Sequence, residues 1–415
     1  MKIERYPYSA SVWWDGQVVA RSDACLCLEK SGVTPVLYFP LADIDFDRFE
    51  DQGSRQSTGG WETKVWSVIP PGAASAPTDG GDILSSLVAP PAPLRELVGF
   101  GCFDQHRVRI EVTDGREGDA ARDVTIKHFP IWGDAADLID VLEVRPDGPL
   151  SFVGTARSDG RRPVVEGSQM LGQAIVAAGR HSAGRRVVSA TMIFLRSADA
   201  HESLRFELVE LSAGRTFSGL AVQVLQGQRC CAAGTVLLGV PSEDFIRHAT
   251  DPPDVPGPYE CDPYDMGVTG RDIRVVDGAY TNEPDAPVGP PVVDAWVRFR
   301  EGPAEPALNA GLLAQFSGHM SIAAALRAHA GVSQAQAHRT LSMGINAISL
   351  SLHREVRADE WMLYHHLSTF AGDGTTHSEC RVHDIGGDLL ASFTVEAMVR
   401  PFPAGTGTVD DRTAL

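Results

Sequence analysis

A short group of polar residues interrupts a long apolar stretch in the last third of the chain. Residues 308–330 are apolar or small on nearly every helical face, and Gln315, Ser317 and His319 form a polar break within them. A helix without a polar face is normally enclosed, so these side chains are predicted to lie inside the protein. There, His319 could act as a general base beside hydrogen-bonding Ser and Gln side chains. At roughly 1.5 Å per residue, the segment predicts one helix of about 30 Å.

The many histidines in the last third of the chain are candidate metal ligands. Most of the 13 histidines follow this helix or lie within it, at positions 319, 329, 338, 353, 365, 366, 377 and 383. No pair has the four-residue spacing of zinc-binding helices, and His365 and His366 would face opposite sides of a strand. No phosphate-binding loop, Gly-x-Ser-x-Gly elbow or dinucleotide fingerprint occurs either. We therefore predict no metal.

Composition narrows the class of protein. The chain has 415 residues, 43% hydrophobic and 22% charged, which is typical of a globular protein with two or three domains. A net charge of −18 argues against a sequence-independent nucleic-acid binder. Seven cysteines without C-x-x-C spacing favour a reducing compartment. With no membrane-length apolar run and no apolar leader, we expect a soluble cytoplasmic protein with no membrane or nucleic-acid partner.

The first part of the chain has the pattern of a small antiparallel β domain. Short β-branched and aromatic runs recur through residues 1–116, and Asp15-Gly16 predicts a type I′ hairpin turn. Residues 70–81 have the composition of a flexible linker. A charged, Gly-rich change near residues 116–123 suggests a boundary, so we predict a mostly-β domain over residues 1–122.

The rest of the chain contains one pattern twice, namely a strand, a buried helix and four strands. The first helix is predicted at residues 169–179 and the second is the segment described above. The repeats are predicted at residues 133–243 and 292–403. A Pro, Asp and Gly-rich stretch, interpreted as solvated connector, separates them at 244–291, and a flexible tail follows at 404–415.

Individual residues support the duplication. In a gapless match, Gly214, Val222 and Gly227 correspond to Gly374, Val382 and Gly387, while Leu195-Arg196 falls near His353-Arg354. Few positions are identical, so the duplication depends mainly on order and spacing. A helix enclosed by an antiparallel sheet, present twice, is the double hotdog architecture. The predicted fold class is α+β: a small mostly-β domain followed by two antiparallel sheets, each wrapping a long central helix.

Residues 133–402 resemble type II acyl-CoA thioesterases. The motifs that carry the resemblance are Val165-Glu-Gly-Ser-Gln169, Phe194-Leu-Arg196-Ser-Ala-Asp199, Gly214-Arg-Thr-Phe217, Ala314-Gln-Phe-Ser-Gly318, His353-Arg354, Glu360-Trp361-Met-Leu-Tyr364, Leu390-Ala-Ser392 and Val399-Arg400. The resemblance implies an acyl-CoA thioester as substrate or ligand, hydrolysis as the activity, no separate cofactor, and a homo-oligomer.

Residues 1–116 are similar to a small bacterial β domain of unknown function, sometimes labelled nucleotidyltransferase-like. The similar segments are residues 12–20, Tyr38-Phe39-Pro40, Val65-Trp66-Ser67, Gly99-Phe100 and Asp104-Gln-His-Arg-Val108. That domain usually has a Cys-Pro-x-Lys-Gly segment where this chain has Gln56-Ser-Thr-Gly-Gly60, without the Cys or the Lys. We therefore expect no activity that depends on that Cys or that Lys.

The thioesterase resemblance implies a catalytic Asp, Thr and Gln that hold and activate a water molecule. Matched residue by residue, the corresponding positions in this chain are Gly318, Ile345 and Val395. None of these side chains can polarise water. The catalytic arrangement of the family is therefore substituted.

A polar residue follows each substituted position: His319, Asn346 and Glu396. Together they form a candidate base, positioner and acid. A shift of one residue on a strand turns the side chain to the other face, however, so Asn346 and Glu396 would point away from a cavity that Ile345 and Val395 line. On a helix the same shift is a rotation of roughly 100°, which keeps His319 within reach.

The residues predicted to contact the substrate lie at the start of the first helix and in the polar break of the second. They are Ser168, Gln169, Gln315, Ser317 and Gly318. Each has a structural alternative: Gln169 as a cap or interface residue, and Ser317-Gly318 as small residues for close packing of helix on sheet.

Three functions remain open from the sequence. The first is a thioesterase-like protein that binds or hydrolyses acyl-CoA beside the second helix. The second is a dehydratase or cyclase type of hotdog enzyme with His319 as general base. The third is a non-catalytic acyl-binding or scaffold protein whose first domain supplies recognition. Fold alone does not choose among them.

Overall fold

The computed structural model separates the chain into two compact units. The first consists of residues 1–134 and 265–269, and the second of residues 135–264 and 270–415. The residues that the structure describes are 1–29, 34–56, 61–69, 82–105, 107–114, 125–130, 133–157, 164–281, 283 and 286–402. The predicted linker at 70–81, the boundary at 116–123 and the tail at 404–415 lie outside these residues.

The first unit is built from antiparallel strands. They are β1 (Lys2–Arg5), β2 (Ser9–Trp14), β3 (Gln17–Ser22), β4 (Leu26–Glu29), β5 (Val36–Pro40), β6 (Phe49–Gln56), β7 (Glu62–Val68), β8 (Leu84–Leu87), β9 (Phe100–Phe103), β10 (Arg109–Asp114) and β11 (Thr125–His128). In the described residues, one sheet has the order β1-β4-β5-β9-β8-β7-β6 and the other β11-β10-β2-β3. Their apolar faces share a core that includes Val12, Val19, Phe39 and Phe103.

The predicted hairpin of the first unit is confirmed. Strands β2 and β3 pair antiparallel across Asp15 and Gly16, whose φ angles are 47° and 72°. Positive φ at both central residues is what a type I′ turn requires.

The second unit contains four α-helices in its described part and a large antiparallel sheet. Its elements are α1 (Ala135–Asp140), β12 (Val144–Gly148), β13 (Ser151–Gly154), α2 (Gly167–His181), β14 (Arg186–Phe194), β15 (Leu204–Ala213), β16 (Phe217–Gln226), β17 (Arg229–Gly239), β18 (Asp262–Pro263), β19 (Arg271–Val275), β20 (Val292–Phe299), α3 (Pro306–Phe316), α4 (Ser321–Arg327), β21 (Leu341–Leu352), β22 (Met362–Gly372), β23 (Thr375–Asp384) and β24 (Leu389–Pro401). No helix of the described residues is long and apolar enough to span a bilayer.

The two repeats share one sheet, which corrects the expectation of two separate sheets. In the described residues the order is β12-β13-β15-β16-β17-β14-β21-β24-β23-β22-β20-β19-β18. Strand β14 of the first repeat pairs with β21 of the second, from Ser189 opposite Ser351 to Ile193 opposite Ala347. In this order, β14 lies at the end of the first-repeat strands and β21 at the start of the second-repeat strands. Their pairing satisfies the backbone groups that a free sheet edge would expose.

The internal duplication is visible in the backbone hydrogen bonds. The amides of residues 195 and 196 both bond to the carbonyl oxygen of Cys231, at 2.8 and 3.1 Å. The amides of residues 353 and 354 bond in the same way to Leu390, at 2.8 and 3.3 Å. The two strand ends matched in the sequence therefore have the same local structure.

In one of the two pairs of matched glycines, both members have the same kind of backbone conformation. Gly227 and Gly387 both have positive φ, 57° and 89°, in the turns before β17 and β24. Gly374 also has positive φ, at 73°, whereas Gly214 does not. The turns before β16 and β23 therefore differ in backbone conformation.

The predicted 30 Å helix is two shorter helices, so that expectation was wrong. Helix α3 ends at Phe316, and Met320, with φ 68° and ψ −21°, precedes α4. The Ser317 hydroxyl donates to the carbonyl oxygen of Ala314 at 2.6 Å, within the last turn of α3. Left-handed backbone at Met320 then redirects the chain, because an α-helix cannot continue through positive φ.

The small residues of the two repeat helices allow those helices to touch. A Cβ atom added to Gly172 of α2 would lie 2.8 Å from the carbonyl oxygen of Gly311 in α3, and one added to Gly311 would lie 3.3 Å from that of Gly172. Glycine is needed here because any side chain would separate the two backbones. The sequence indicated buried helices but not that they pack on each other.

The stretch predicted as solvated connector contributes to the sheet, which corrects that prediction. Strands β18 and β19 extend the sheet beyond β20. Before them, the Trp296 indole donates to the carbonyl oxygen of Pro256 at 2.9 Å, and His383 Nε2 lies 3.2 Å from that of Thr250. Strand β19 brings Arg271 to the site described next.

Candidate active site

The polar break between α3 and α4 lies against the start of α2. A Cβ atom added to Gly318 would come within 2.6 Å of the Ser168 Cβ atom. Ser168 is almost fully buried, with 2% of its surface exposed. The small-residue pair therefore packs helix against helix, rather than helix against sheet as the sequence suggested.

His319 is the titratable residue of this break. Its Nε2 atom lies 3.7 Å from Glu166 Oε2 and, within the described residues, has no hydrogen-bond partner. Its ring packs on Phe316, with 5.0 Å between ring centroids. Burial, with further contributions from the charges of Arg271 and His366, holds the pKa of His319 well below its usual range. The imidazole is therefore neutral at pH 7 and can accept a proton.

A buried guanidinium packs on the same aromatic ring. Arg271 is 7% exposed, and its Cζ atom is 5.1 Å from the Phe316 ring centroid. Its Nη1 donates to Gln315 Oε1 at 3.2 Å, and Gln315 Nε2 donates to Glu166 Oε2 at 3.4 Å. Burial lowers the pKa of Arg271, and the charge of Glu166 opposes that shift. An arginine nevertheless stays protonated at neutral pH.

The positions of the resembled catalytic Asp, Thr and Gln are apolar and face inward. Ile345 Cδ1 lies 3.5 Å from the place of a Cβ atom on Gly318. Val395 is 1% exposed. Gly318 and Ile345 are therefore neighbours, but they form an apolar wall where the thioesterase resemblance implies polar groups.

The predicted set of His319, Asn346 and Glu396 is not assembled. Asn346 is exposed, at an irregularity where β21 and β24 shift register between Ile345 and Ala347. Glu396 is also exposed and pairs with His377 Nδ1 at 2.6 Å. None of the described contacts joins either residue to His319, because the alternation of a strand turns both side chains away.

Two of the predicted substrate contacts are engaged within the protein. Gln169 Nε2 donates to the carbonyl oxygen of Thr155 at 3.0 Å, and Ser317 caps the end of α3. Ser168 and Gly318 pack on each other, as described above. Of the five predicted residues, Gln315 is the one that the described contacts place in the polar cluster with Arg271 and Glu166.

A second buried cluster combines a thiol, an imidazole and a hydroxyl. His366 Nδ1 lies 3.0 Å from Ser321 Oγ and 3.3 Å from Cys380 Sγ. Burial, with the charge of His365, lowers the pKa of His366 to about 3, and burial raises the pKa of Cys380 to about 12. The cysteine is therefore a thiol rather than a reactive thiolate, and the cluster has a packing role.

In the described part of the chain, no group of three or more His, Cys, Asp and Glu side chains is placed to hold a metal ion. The polar cluster at the break contains one histidine and one carboxylate, beside an arginine and an amide. Its chemistry is that of proton transfer and hydrogen bonding.

Family models match most of the chain. Residues 157–239 match the acyl-CoA thioesterase N-terminal domain, and residues 246–399 match the acyl-CoA thioesterase C-terminal domain. The chain belongs to the acyl-CoA thioesterase family. Residues 2–113 match a domain of unknown function, DUF427. Both resemblances found in the sequence are thereby confirmed.

Individual relatives of this thioesterase-family chain are distant. Acyl-CoA thioesterase 2 of Haemophilus influenzae is 24% identical over 282 residues, which cover 64% of this chain and 97% of that protein. The tesB protein of Mycobacterium avium subspecies paratuberculosis has a TM-score of 0.55 and 23% identity, over 65% of this chain and all of its own. The acyl-CoA thioesterase II TesB2 of Mycobacterium marinum has a TM-score of 0.55 and 24% identity, over 65% and 99%. At these identities the structures show a shared hotdog fold.

Sequence reasoning missed Glu166 and Arg271 in this thioesterase-family chain. Glu166 directly precedes α2, where it could have been noticed as an acidic residue next to the predicted helix. Arg271 begins the sequence RDIRV, in which Ile273 and Val275 alternate with polar residues as in a strand. That alternation was hidden within a stretch interpreted as connector.

Proposed function

We propose that the second unit binds an acyl-CoA thioester at the break between α3 and α4 and hydrolyses it with His319 as general base. The observation that carries the proposal is the buried Nε2 of a neutral His319, which has no hydrogen-bond partner among the described residues and lies 3.7 Å from Glu166 Oε2. A neutral imidazole beside a carboxylate is suited to taking a proton from water. Membership of the acyl-CoA thioesterase family supports the choice of substrate.

The reaction is a balanced acyl transfer to water. A water molecule bound between Glu166 and His319 attacks the thioester carbonyl carbon while His319 Nε2 takes its proton, and the carbon–oxygen bond forms. The carbon–sulfur bond then breaks, and the sulfur of CoA leaves with the electron pair and receives the proton from His319. The products are the carboxylic acid and the free thiol.

Glu166 has two functions in this proposal. Its Oε2 orients the water, and its negative charge stabilises the imidazolium that forms during the reaction. Gln315, which donates to the same oxygen, fixes the position of the carboxylate. The carboxylate is 35% exposed in its side chain, so water can reach it, whereas His319 is 14% exposed.

A second function is favoured by a different observation. Gly318, Ile345 and Val395, the positions of the resembled catalytic residues, carry no polar side chain. Ile345 lies beside Gly318 and Val395 is buried, and apolar residues at these positions suit acyl binding without turnover. In that case the protein would sequester or present an acyl-CoA. A dehydratase or cyclase reaction on a thioester would also use His319, but it would release no thiol.

A panel of acyl-CoA substrates with a free-thiol readout separates these functions. We expect thiol release by the natural protein, reduced by about 10²–10⁴ in kcat for His319→Ala, the range typical of a general base. His377→Ala is the matched control, because His377 pairs with Glu396 outside the site. Tight binding without thiol release would support the acyl-binding function, and thioester loss without thiol would support the dehydratase or cyclase type.

A further inference from the structure

Among the residues that the structure describes, no charged partner is in contact with the buried cation of Arg271. Its hydrogen bond goes to Gln315, a neutral amide, and its Nε atom is buried without a partner among the described residues. No carboxylate of the described chain lies within ion-pair distance of it, although Glu166 acts on it from farther away. A buried charge that lacks a bound counter-charge is costly, and the cost falls when an anionic group binds beside it.

Arg271 and His319 approach the same aromatic ring. The Arg271 guanidinium lies over Phe316 at 5.1 Å, and the His319 ring contacts that ring at 5.0 Å. Each also carries a buried nitrogen with no partner in the described structure, Nε of Arg271 and Nε2 of His319. A substrate oxygen that develops negative charge next to His319 would accept a hydrogen bond from Nε of Arg271.

We infer that Arg271 is a further catalytic residue, whose guanidinium donates to the carbonyl oxygen of the bound thioester and stabilises the oxyanion formed when water adds. This inference rests on the proposed function for its reaction step. As the carbon–oxygen bond forms, the carbonyl electron pair moves onto oxygen. It returns to restore the double bond as the carbon–sulfur bond breaks. Arg271 remains protonated throughout and transfers no proton.

Gln315 is a positioning residue in this arrangement. Its Oε1 accepts from Arg271 and its Nε2 donates to Glu166, so one amide sets the distance between the cation and the carboxylate. Without Gln315, Arg271 and Glu166 would be free to form a direct ion pair, in which each group would compensate the charge of the other. The side chain of Gln315 therefore keeps the donor and the water-binding carboxylate apart.

Kinetics of Arg271 variants provide the first test. We expect Arg271→Gln to lower kcat by about 10²–10³ with little change in KM, as for removal of one oxyanion donor. Arg271→Lys keeps the charge and should fall in between, and it serves as the second variant if Arg271→Gln unfolds. The matched control is Arg298→Gln, because Arg298 lies over Trp361 at 4.8 Å and pairs with Asp272 at 2.7 Å, and no described contact joins it to His319 or Glu166. A rise in KM with unchanged kcat would overturn the inference.

The pH profile gives a readout that a purely structural role would not change. The charge of Arg271 lowers the pKa of His319, so Arg271→Gln should raise that pKa and move the acid limb of the kcat/KM profile to higher pH. An acid limb at the same pH as in the natural protein would count against the inference.

Binding of two CoA analogues tests the contact without hydrolysis. One is a ketone in which a methylene replaces the thioester sulfur, and the other is a thioether that lacks the carbonyl group. We expect the natural protein to prefer the ketone and Arg271→Gln to lose this preference while it still binds the thioether. Equal binding of both analogues by the natural protein would overturn the inference even if hydrolysis is observed.

The same measurements separate failure of the inference from failure of the proposed function. A preference for the ketone that depends on Arg271, in a protein that releases no thiol, would refute hydrolysis and support the carbonyl contact. No binding of either analogue would refute both.

Discussion

Gly318 lies so close to Ser168 that a Cβ atom on the glycine would come within 2.6 Å of the serine Cβ. This contact joins the break between α3 and α4 to the first turn of α2. It also explains why the position of the resembled catalytic Asp cannot simply regain an acidic side chain: Ser168 occupies the space. The two residues are therefore expected to depend on each other.

Gly318→Ala should destabilise the second unit by about 1–3 kcal/mol, the range for overpacking a close contact. Ser168→Gly in the same chain should recover most of the loss, because it removes the atoms that the new methyl group meets. Chemical denaturation of the two single variants and the double variant measures this coupling. If the changes in unfolding free energy of the two single variants simply add in the double variant, the Gly318–Ser168 contact does not cause the destabilisation.

Glu166→Gln should lower kcat for thioester hydrolysis by about 10²–10³, because the neutral amide cannot stabilise the imidazolium form of His319. The control is Glu210→Gln, since Glu210 is an exposed residue that pairs with His181 outside the site. Thiol release measured under saturating acyl-CoA reports the change. Full activity in Glu166→Gln would remove this carboxylate from the mechanism.

Asn346→Ala and Glu396→Gln should leave kcat within about twofold of the natural value, because surface substitutions away from a site have small effects. Both side chains are exposed, and Glu396 pairs with His377. The measurement is the same thiol-release assay, with His319→Ala as the inactive reference. A large loss in both variants would restore the set predicted from the sequence.

Buried neutral histidines should make the folded state less stable in acid. Burial lowers the pKa of His366 to about 3, below the value of about 6.5 expected when the chain is unfolded. The unfolded state then binds more protons, so the stabilisation is complete above about pH 6.5 and is lost as pH falls from there towards 3, by up to about 1.4 kcal/mol per pH unit. Denaturation at pH 7 and pH 5 should show a weaker pH dependence for His366→Gln. An unchanged slope would contradict this prediction.

Much of the fold was accessible from the sequence. The strand, helix and four-strand repeat, the Asp15-Gly16 hairpin and the matched strand ends at Leu195-Arg196 and His353-Arg354 follow from local patterns of apolar residues and turns. The length of the second helix was overestimated, because an apolar run does not reveal the left-handed Met320. The joining of two sheets into one was also hidden, since edge pairing depends on how the two repeats meet.

For the site, strand alternation places Asn346 and Glu396 on the face opposite Ile345 and Val395. Asn346 and Glu396 are exposed, Val395 is buried and Ile345 lies beside Gly318. His319 was identified from its place in an apolar helix. Arg271 was missed because it belongs to no motif that sequence spacing can recognise. Glu166 lies in the motif Val165-Glu-Gly-Ser-Gln169 but was given no role, because its partner Gln315 is 149 residues away in the chain.

The sequence by itself determined that this chain repeats one helix-and-sheet unit and resembles the thioesterases. That resemblance implies polar catalytic residues at the positions of Gly318, Ile345 and Val395. Only the tertiary structure decided which polar groups meet at the break. Gln315 contacts Glu166 from 149 residues away and Arg271 from 44 residues away. Such meetings depend on the packing of α2 against α3 and on the place of β19 between β20 and β18 in the sheet. Both are set by long-range contacts that no local pattern encodes.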